Sequence, residues 1–215
     1  MNPQEETFET WNKLASLYEE KFMHLTIYNE TYDYICRCII KEQANILEIG
    51  CGPGNITKHL LSLRPDFNIL GTDMSPNMIE LAEKNNPQAK FRVMNADEIS
   101  ILQESFDGIV SGFCIPYLSE TETKKLIQDS YSLLNENGLL YLSFVEGSPE
   151  KSGFLTSSTG LRTYFYYHQE ENTTHKLEQN QFKVLKSFRI SYKKSDVETE
   201  DHIVIIARKE NNIIS

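Results

Sequence analysis

Between Asn45 and Thr57 the chain reads NILEIGCGPGNIT. Ile46-Leu47-Glu48-Ile49 is a short apolar run of the kind that forms a parallel strand buried on both faces. It ends in three alternating glycines, Gly50, Gly52 and Gly54, and Asn55-Ile56-Thr57 then opens a helical pattern through Leu60, Leu61 and Leu63. Strand, glycine turn and helix together bring backbone against a nucleotide-like ligand at the carboxyl end of a central strand. A Cβ would obstruct both the turn and the ligand.

Downstream the pattern repeats. Asn68 to Thr72 is a second strand ending at Asp73, and Ser75-Pro76 starts a helix with serine as N-cap and proline at the first helical position. Lys90 to Met94 is a third strand that runs into Asn95-Ala96-Asp97-Glu98. Phe106 to Ser111 is a fourth, followed by a loop through Gly112, Phe113, Cys114, Ile115, Pro116 and Tyr117. Ser119 and Glu122 have capping-box spacing and open a helix that Gly138 is expected to close, before a fifth strand over Leu139 to Val145. Five successive βα-type units predict an α/β fold with a mainly parallel sheet.

Upstream, after a frayed stretch at residues 1 to 6, Trp11, Leu14, Ala15, Tyr18 and Phe22 make one helical stripe, and Tyr28, Tyr32, Ile35 and Ile39 make a second. The first helix is expected either to pack as core or to cover the ligand pocket, with Tyr18 near the ligand. Beyond the fifth strand, residues 147 to 160 are rich in Gly, Ser and Thr without periodicity, and Thr163 to His168 is an aromatic run. A helix over Glu170 to Asn180 and strands over Phe182 to Ser191 and His202 to Arg208 follow, the two strands pairing antiparallel because their connection is short. The whole reads as one domain: a helical cap (1–43), a core (44–146), an acceptor-side segment (147–168), and a last helix with a hairpin (169–209).

At 215 residues the chain can bury a sizeable core, and its formal net charge of -10 disfavours a nucleic-acid partner. No apolar run approaches a membrane span, and the acidic start MNPQEETFETW is neither a signal nor a transit peptide, so a cytoplasmic location is expected. Cys36, Cys38, Cys51 and Cys114 match no zinc spacing and are read as free thiols, with no metal site.

A dinucleotide fingerprint needs a third glycine three residues beyond the second, and here Asn55 holds that position. Asp73 instead stands where an acid reaches both hydroxyls of a ribose, and Asp97 where one accepts from an adenine amino group. With LEIGCGPG (47–54), GTDMSPNMIELA (71–82), NADE (95–98), FDGIVSGFCIPYL (106–118) and ENGLLYLSF (136–144), the sequence resembles the class I S-adenosylmethionine-dependent methyltransferases. The resemblance implies a Rossmann-like seven-stranded sheet, order 3-2-1-4-5-7-6 with strand 7 antiparallel. It implies S-adenosyl-L-methionine as donor and S-adenosyl-L-homocysteine as product. Gly50, Gly52 and Gly54, beside Glu48, would run under the methionine part, Asp73 and Met74 would meet the ribose and adenine, Ala96 and Asp97 the adenine, and Phe113 the adenosine or methionyl chain.

For the acceptor, the aromatic content of the tail suggests a small, partly apolar molecule. If Thr163 to His168 is extended, Tyr164, Tyr166 and His168 share a face, and His168 is the candidate base or substrate-orienting group. Tyr117 is a further candidate acceptor contact, and Arg162, beside Ser157, Ser158 and Thr159, is a candidate holder of a carboxylate or phosphate. Cys114-Ile115-Pro116-Tyr117 does not read as the Asp/Asn-Pro-Pro-aromatic motif of amino-methylating nucleic-acid enzymes. The competing readings are a protein acceptor, a non-catalytic cofactor-binding protein on the same fold, and an NAD-dependent oxidoreductase. A monomer or a homodimer is expected.

Overall fold

A computed structural model describes residues 3–157, 159–195 and 197–210. Ser158, and Asp196 in the connection between the last two strands, lie outside the described residues. Two helices lead, α1 (Pro3–Phe22) and α2 (Asn29–Cys38), then β1 (Asn45–Ile49), α3 (Asn55–Leu63), β2 (Asn68–Asp73), α4 (Pro76–Asn85) and β3 (Lys90–Val93). β4 (Phe106–Ser111), α5 (Glu120–Leu133) and β5 (Leu134–Val145) follow, then β6 (Gly153–Thr156), β7 (Arg162–Phe165), α6 (Glu170–Gln179), β8 (Phe182–Lys193) and β9 (Thr199–Lys209).

The main sheet has the order β3-β2-β1-β4-β5-β9-β8. β9 runs antiparallel to both β5 and β8, while β1 to β5 are parallel. This is the expected order with its antiparallel last strand, once the separate two-stranded ribbon β6-β7 is left out of the numbering. Successive β1 side chains enter opposite layers. Leu47 packs with residues of α5 and α6 such as Leu126 and Leu177, and Ile46 with residues of α2 and α3 such as Ile35 and Leu60. Burial on both faces is why the strand is apolar throughout instead of alternating.

Three expectations about elements change. α1 begins at Pro3 instead of fraying to residue 6, and Thr7 and Thr10 are buried. α5 stops at Leu133 and Leu134 already pairs with Phe106, so Gly138 lies inside β5 and the left-handed residue there is Asn137, at φ 61°. The Gly/Ser/Thr-rich stretch contains β6, which pairs antiparallel with β7 from Gly153↔Phe165 to Thr156↔Arg162. The ribbon packs on α1, where the Thr10 hydroxyl donates to the Arg162 carbonyl at 2.6 Å and the Tyr164 amide donates to Thr7 Oγ1 at 2.9 Å.

Candidate functional site

Parallel strands bring their carboxyl ends to one edge, and a cavity of about 500 Å³ opens there beneath α1. Gly50 and Gly52 line it, both left-handed, at φ 69° and 52°. A Cβ added at Gly52 would lie 3.6 Å from Tyr18 Cε1, so the turn faces α1 directly. Gly54, at φ 82°, does not line the cavity. A Cβ there would come within 2.3 Å of Asn86 Nδ2, which donates to the Gly54 carbonyl at 2.9 Å. Its absent side chain serves the packing of the α3 start against the end of α4.

Asp73, at the end of β2, accepts the Gly52 amide on Oδ2 and the Ser75 amide on Oδ1, both at 2.9 Å. One side chain thereby ties the glycine turn to the start of α4. Burial raises its pKa, and the two amide donors oppose that shift. Each carboxylate oxygen keeps a lone pair for a ligand hydroxyl. Ser75 caps α4 as expected, accepting the Met78 amide at 3.1 Å. Met74, Ala96 and Asp97 all line the cavity. Asn95 and Glu98 form a capping box over the short 3-10 helix Ala96–Ile101, which makes Glu98 a cap and leaves Asp97 exposed beside the opening.

Glu48 sits behind the turn, 1% exposed, outside the cavity lining. Oε2 accepts the Thr57 hydroxyl, and Oε1 has no partner among the described residues. Burial is the main cause that pushes its pKa up to about 8, with the nearby Asp73 adding to it.

The far wall comes from α1 and the loop after β4. Tyr18, Phe113 and Tyr117 line the cavity, as expected, and so does Trp11. Trp11 stands edge-on to Tyr18 at 5.4 Å and to Tyr117 at 5.5 Å between ring centroids. Phe113 is left-handed at φ 55°, and its amide donates to Ser143 Oγ at 2.9 Å. Burial pushes the Cys114 thiol up to about 12, so it is an inert wall residue, and all four cysteines are unpaired. Gln4, Phe8 and Glu122 are among the lining residues that sequence reasoning passed over. Gln4, Phe8, Trp11 and Tyr18 follow helical spacing, so extending the α1 stripe toward its start is the signal that finds the first two.

The acceptor-side candidates Arg162, Tyr164, Tyr166 and His168 lie apart from the cavity lining. Among the described residues, none of 147–168 lines the cavity. His168 is 6% exposed; its Nε2 donates to the Ile115 carbonyl at 2.8 Å and its ring packs edge-on to Phe144. Burial lowers its pKa, and its ring is engaged by the protein itself. Arg162 is held by Glu6 through Nε at 2.7 Å and Nη2 at 2.9 Å and lies over the Phe154 ring, which leaves no fork for a carboxylate. Tyr164 packs against Phe154 and Tyr166 on the ribbon, and the Tyr166 amide donates to the Pro116 carbonyl at 2.7 Å. These side chains are turned to the ribbon and its junctions, and none reaches the cavity. Among the described residues no group of His, Cys, Asp and Glu is arranged to hold a metal, and no helix is long and apolar enough to cross a membrane.

A glycine turn and a capped acid at the ends of adjacent parallel strands define an α/β domain built to hold a nucleoside-like ligand. Residues 46–138 match the family model described as a methyltransferase domain. A malonyl-[acyl-carrier protein] O-methyltransferase of Paenibacillus sp. (strain JDR-2) is 36% identical over 105 residues, 46% of this chain and 37% of the relative. The chain spans about half the length of the curated relatives it matches. Among solved structures, magnesium protoporphyrin IX methyltransferase from Synechocystis PCC 6803, with bound S-adenosylmethionine, is 14% identical and covers 98% of both chains at a TM-score of 0.70. The 1,6-didemethyltoxoflavin-N1-methyltransferase of Burkholderia thailandensis is 17% identical, covering 98% of this chain and 92% of its own, at a TM-score of 0.72. At these identities the two structures establish the shared fold.

Proposed function

We propose that the chain transfers a methyl group from S-adenosyl-L-methionine to a small molecule, releasing S-adenosyl-L-homocysteine. The observation that carries the reading is the meeting, in one cavity, of left-handed Gly50 and Gly52 with Asp73, whose oxygens are half-used by backbone amides. The donor set fits a nucleoside with a charged tail. Bare turn backbone admits close approach, Asp73 accepts two vicinal hydroxyls, Met74 and Ala96 offer apolar faces for a base, and Asp97 accepts its amino group.

When bound, the donor supplies a methyl group already activated on a sulfonium. The chain's own contribution is to bind, orient and keep water out. Orientation alone can supply roughly 7–11 kcal/mol of the barrier. Trp11, Tyr18, Phe113 and Tyr117 form the wall against which an acceptor lies, and no histidine stands among the residues lining it. A protein acceptor is the main rival, and the enclosure of the cavity under α1 favours a small molecule. Unpaired thiols fit a reducing, cytoplasmic setting, as a monomer or homodimer.

Calorimetry with S-adenosyl-L-homocysteine and, separately, NADH tests the donor. Binding of the former with no response to NADH is expected, and binding of NADH alone would overturn the reading.

A further inference from the structure

Behind Phe113, α2 and the β8-β9 hairpin enclose a second group of polar rings, and the inference it carries rests on the methyl-transfer reading above. His202 is buried, and its Nδ1 meets the Tyr28 hydroxyl at 2.5 Å. Its Nε2 has no hydrogen-bond partner among the described residues, and Glu200 Oε2 stands 3.9 Å from it. A carboxylate only accepts, so Nε2 carries the ring proton, Nδ1 keeps a lone pair, and the Tyr28 hydroxyl donates to it. Carboxylate, imidazole and hydroxyl thus stand in the order by which a base is oriented and a hydroxyl activated. Tyr192 stacks on the imidazole, with ring centroids 4.7 Å apart, and fixes its plane. Glu200 is partly exposed and its other oxygen meets Lys194 at 2.7 Å, so the chain of groups runs from solvent inward.

The inner end of that chain adjoins the cavity wall. The Phe113 ring lines the cavity and lies 5.1 Å from Tyr28 and 5.0 Å from His202 between centroids. A phenylalanine at φ 55° is strained, an arrangement that gathers at ligand clamps. Burial, with Tyr192, Tyr141 and Tyr18 adding to it, raises the Tyr28 pKa, so Tyr28 does not ionise alone. Burial lowers that of His202 against the opposing pull of Glu200 and Asp201, so the ring is neutral at pH 7 and able to take a proton. The charged groups around it are Glu200 and Asp201 on β9, paired to Lys194 and Arg189; α2 brings Tyr28, β8 brings Tyr192 and the loop after β4 brings Phe113.

Methylation of a hydroxyl releases one proton for each methyl moved. The acceptor oxygen forms the new O–CH3 bond with a lone pair while the S–CH3 bond breaks, its electron pair going to sulfur. The acceptor's proton passes to the Tyr28 oxygen as the Tyr28 proton passes to His202 Nδ1. The resulting imidazolium faces Glu200, whose carboxylate stabilises it, and returns to the neutral ring by losing one proton to solvent. A neutral amine needs no such relay, because its lone pair attacks before any proton leaves. We propose that Tyr28, His202 and Glu200 form a proton relay for the reaction, reached from the cavity when the Phe113 ring turns aside, and that the acceptor reacts through a hydroxyl group.

The test uses the full chain, labelled donor and defined probes: phenol, catechol and benzyl alcohol beside aniline and benzylamine. Methyl is expected on at least one hydroxyl probe and on neither amine. His202→Asn keeps a side-chain oxygen to accept from Tyr28 but no base. It should lower kcat on that probe at least about a hundredfold, with KM and S-adenosyl-L-homocysteine affinity within about twofold, in keeping with general-base catalysis. Tyr28→Phe, which removes one oxygen, should do the same, and Glu200→Gln should fall between them and the parent. In the parent, kcat should fall on the acid side as His202 gains its proton, a limb that a merely structural histidine does not produce and that His202→Asn should lack. Nitrogen NMR of the parent imidazole needs no variant: the Nε2–H tautomer is expected, and the Nδ1–H tautomer overturns the relay. Methyl on the amines alone, methyl on no probe, or parent kcat in both His202→Asn and Tyr28→Phe overturns the proposal while leaving the donor reading intact. A chain that takes up no S-adenosyl-L-homocysteine overturns the donor reading, and this one with it.

Discussion

α1 and the β6-β7 ribbon lie back to back, both rich in aromatic side chains, and they do opposite jobs. α1 turns Phe8, Trp11 and Tyr18 into the cavity, while Thr10 donates to the ribbon and Thr7, at the cavity's edge, accepts the Tyr164 amide. The ribbon stacks Phe154, Tyr164 and Tyr166 on one another and on Arg162, outside the cavity. One element supplies surface to a ligand, and the other supplies position to that element. The lesson is that aromatic density does not locate a binding wall; what matters is which face of the element is left after its neighbours have been satisfied.

Substitutions separate the two roles. The largest effect is expected from the floor that α1 covers. Asp73→Ala removes an acceptor of two backbone amides and of the ligand's hydroxyls, and should weaken S-adenosyl-L-homocysteine binding about a hundredfold by calorimetry, in keeping with charge-assisted hydrogen bonds. An affinity within twofold of the parent would remove Asp73 from the ligand site. On the cavity side of α1, Trp11→Ala should cost about tenfold in kcat/KM, as loss of a large aromatic wall does, and an unchanged value would make the helix a mere cover.

Behind the turn, Glu48 sets a pH dependence. In the folded chain its carboxyl holds a proton up to about pH 8, against an ordinary value of 4.5 when unfolded. Between those values the folded state binds a proton that the unfolded state does not, so stability falls as pH rises through the window. Glu48→Gln should flatten that fall by several degrees of Tm between pH 5 and pH 8. Identical slopes in parent and variant would place the titration elsewhere. The smallest effect belongs to the ribbon. Arg162→Ala cuts an exposed ion pair with Glu6 and should leave ligand affinity within about twofold, as surface pairs contribute little. A tenfold loss would mean that the ribbon shapes the cavity after all.

The sheet and the cavity floor were legible in the chain because their signals are local. A strand, its terminal acid and the following cap sit within a few residues of one another, as at Thr72-Asp73-Met74-Ser75, and parallel register carries such ends to one edge. The acceptor side was not, because its outcome depends on distant partners. Arg162 looks free until Glu6 is placed beside it, 156 residues away. His168 looks like a base until the Ile115 carbonyl, 53 residues earlier, takes its Nε2 proton donor. The extended reading of the aromatic run, 163–168, was right for 163–165, but β6 has no periodic pattern to show which side the pairing would cover.

Glu48 also makes the turn a meter of ambient acidity. A carboxyl still protonated at neutral pH, coupled to Asp73 and buried under Gly50, gives up its proton more readily when a cation arrives above it. Uptake of a sulfonium ligand should then be a proton-releasing equilibrium, with an apparent heat that varies with the ionisation enthalpy of the buffer and an affinity that tightens as the medium approaches pH 8. The uncharged thioether product lacks that lever, so rising alkalinity would favour the incoming molecule over the spent one.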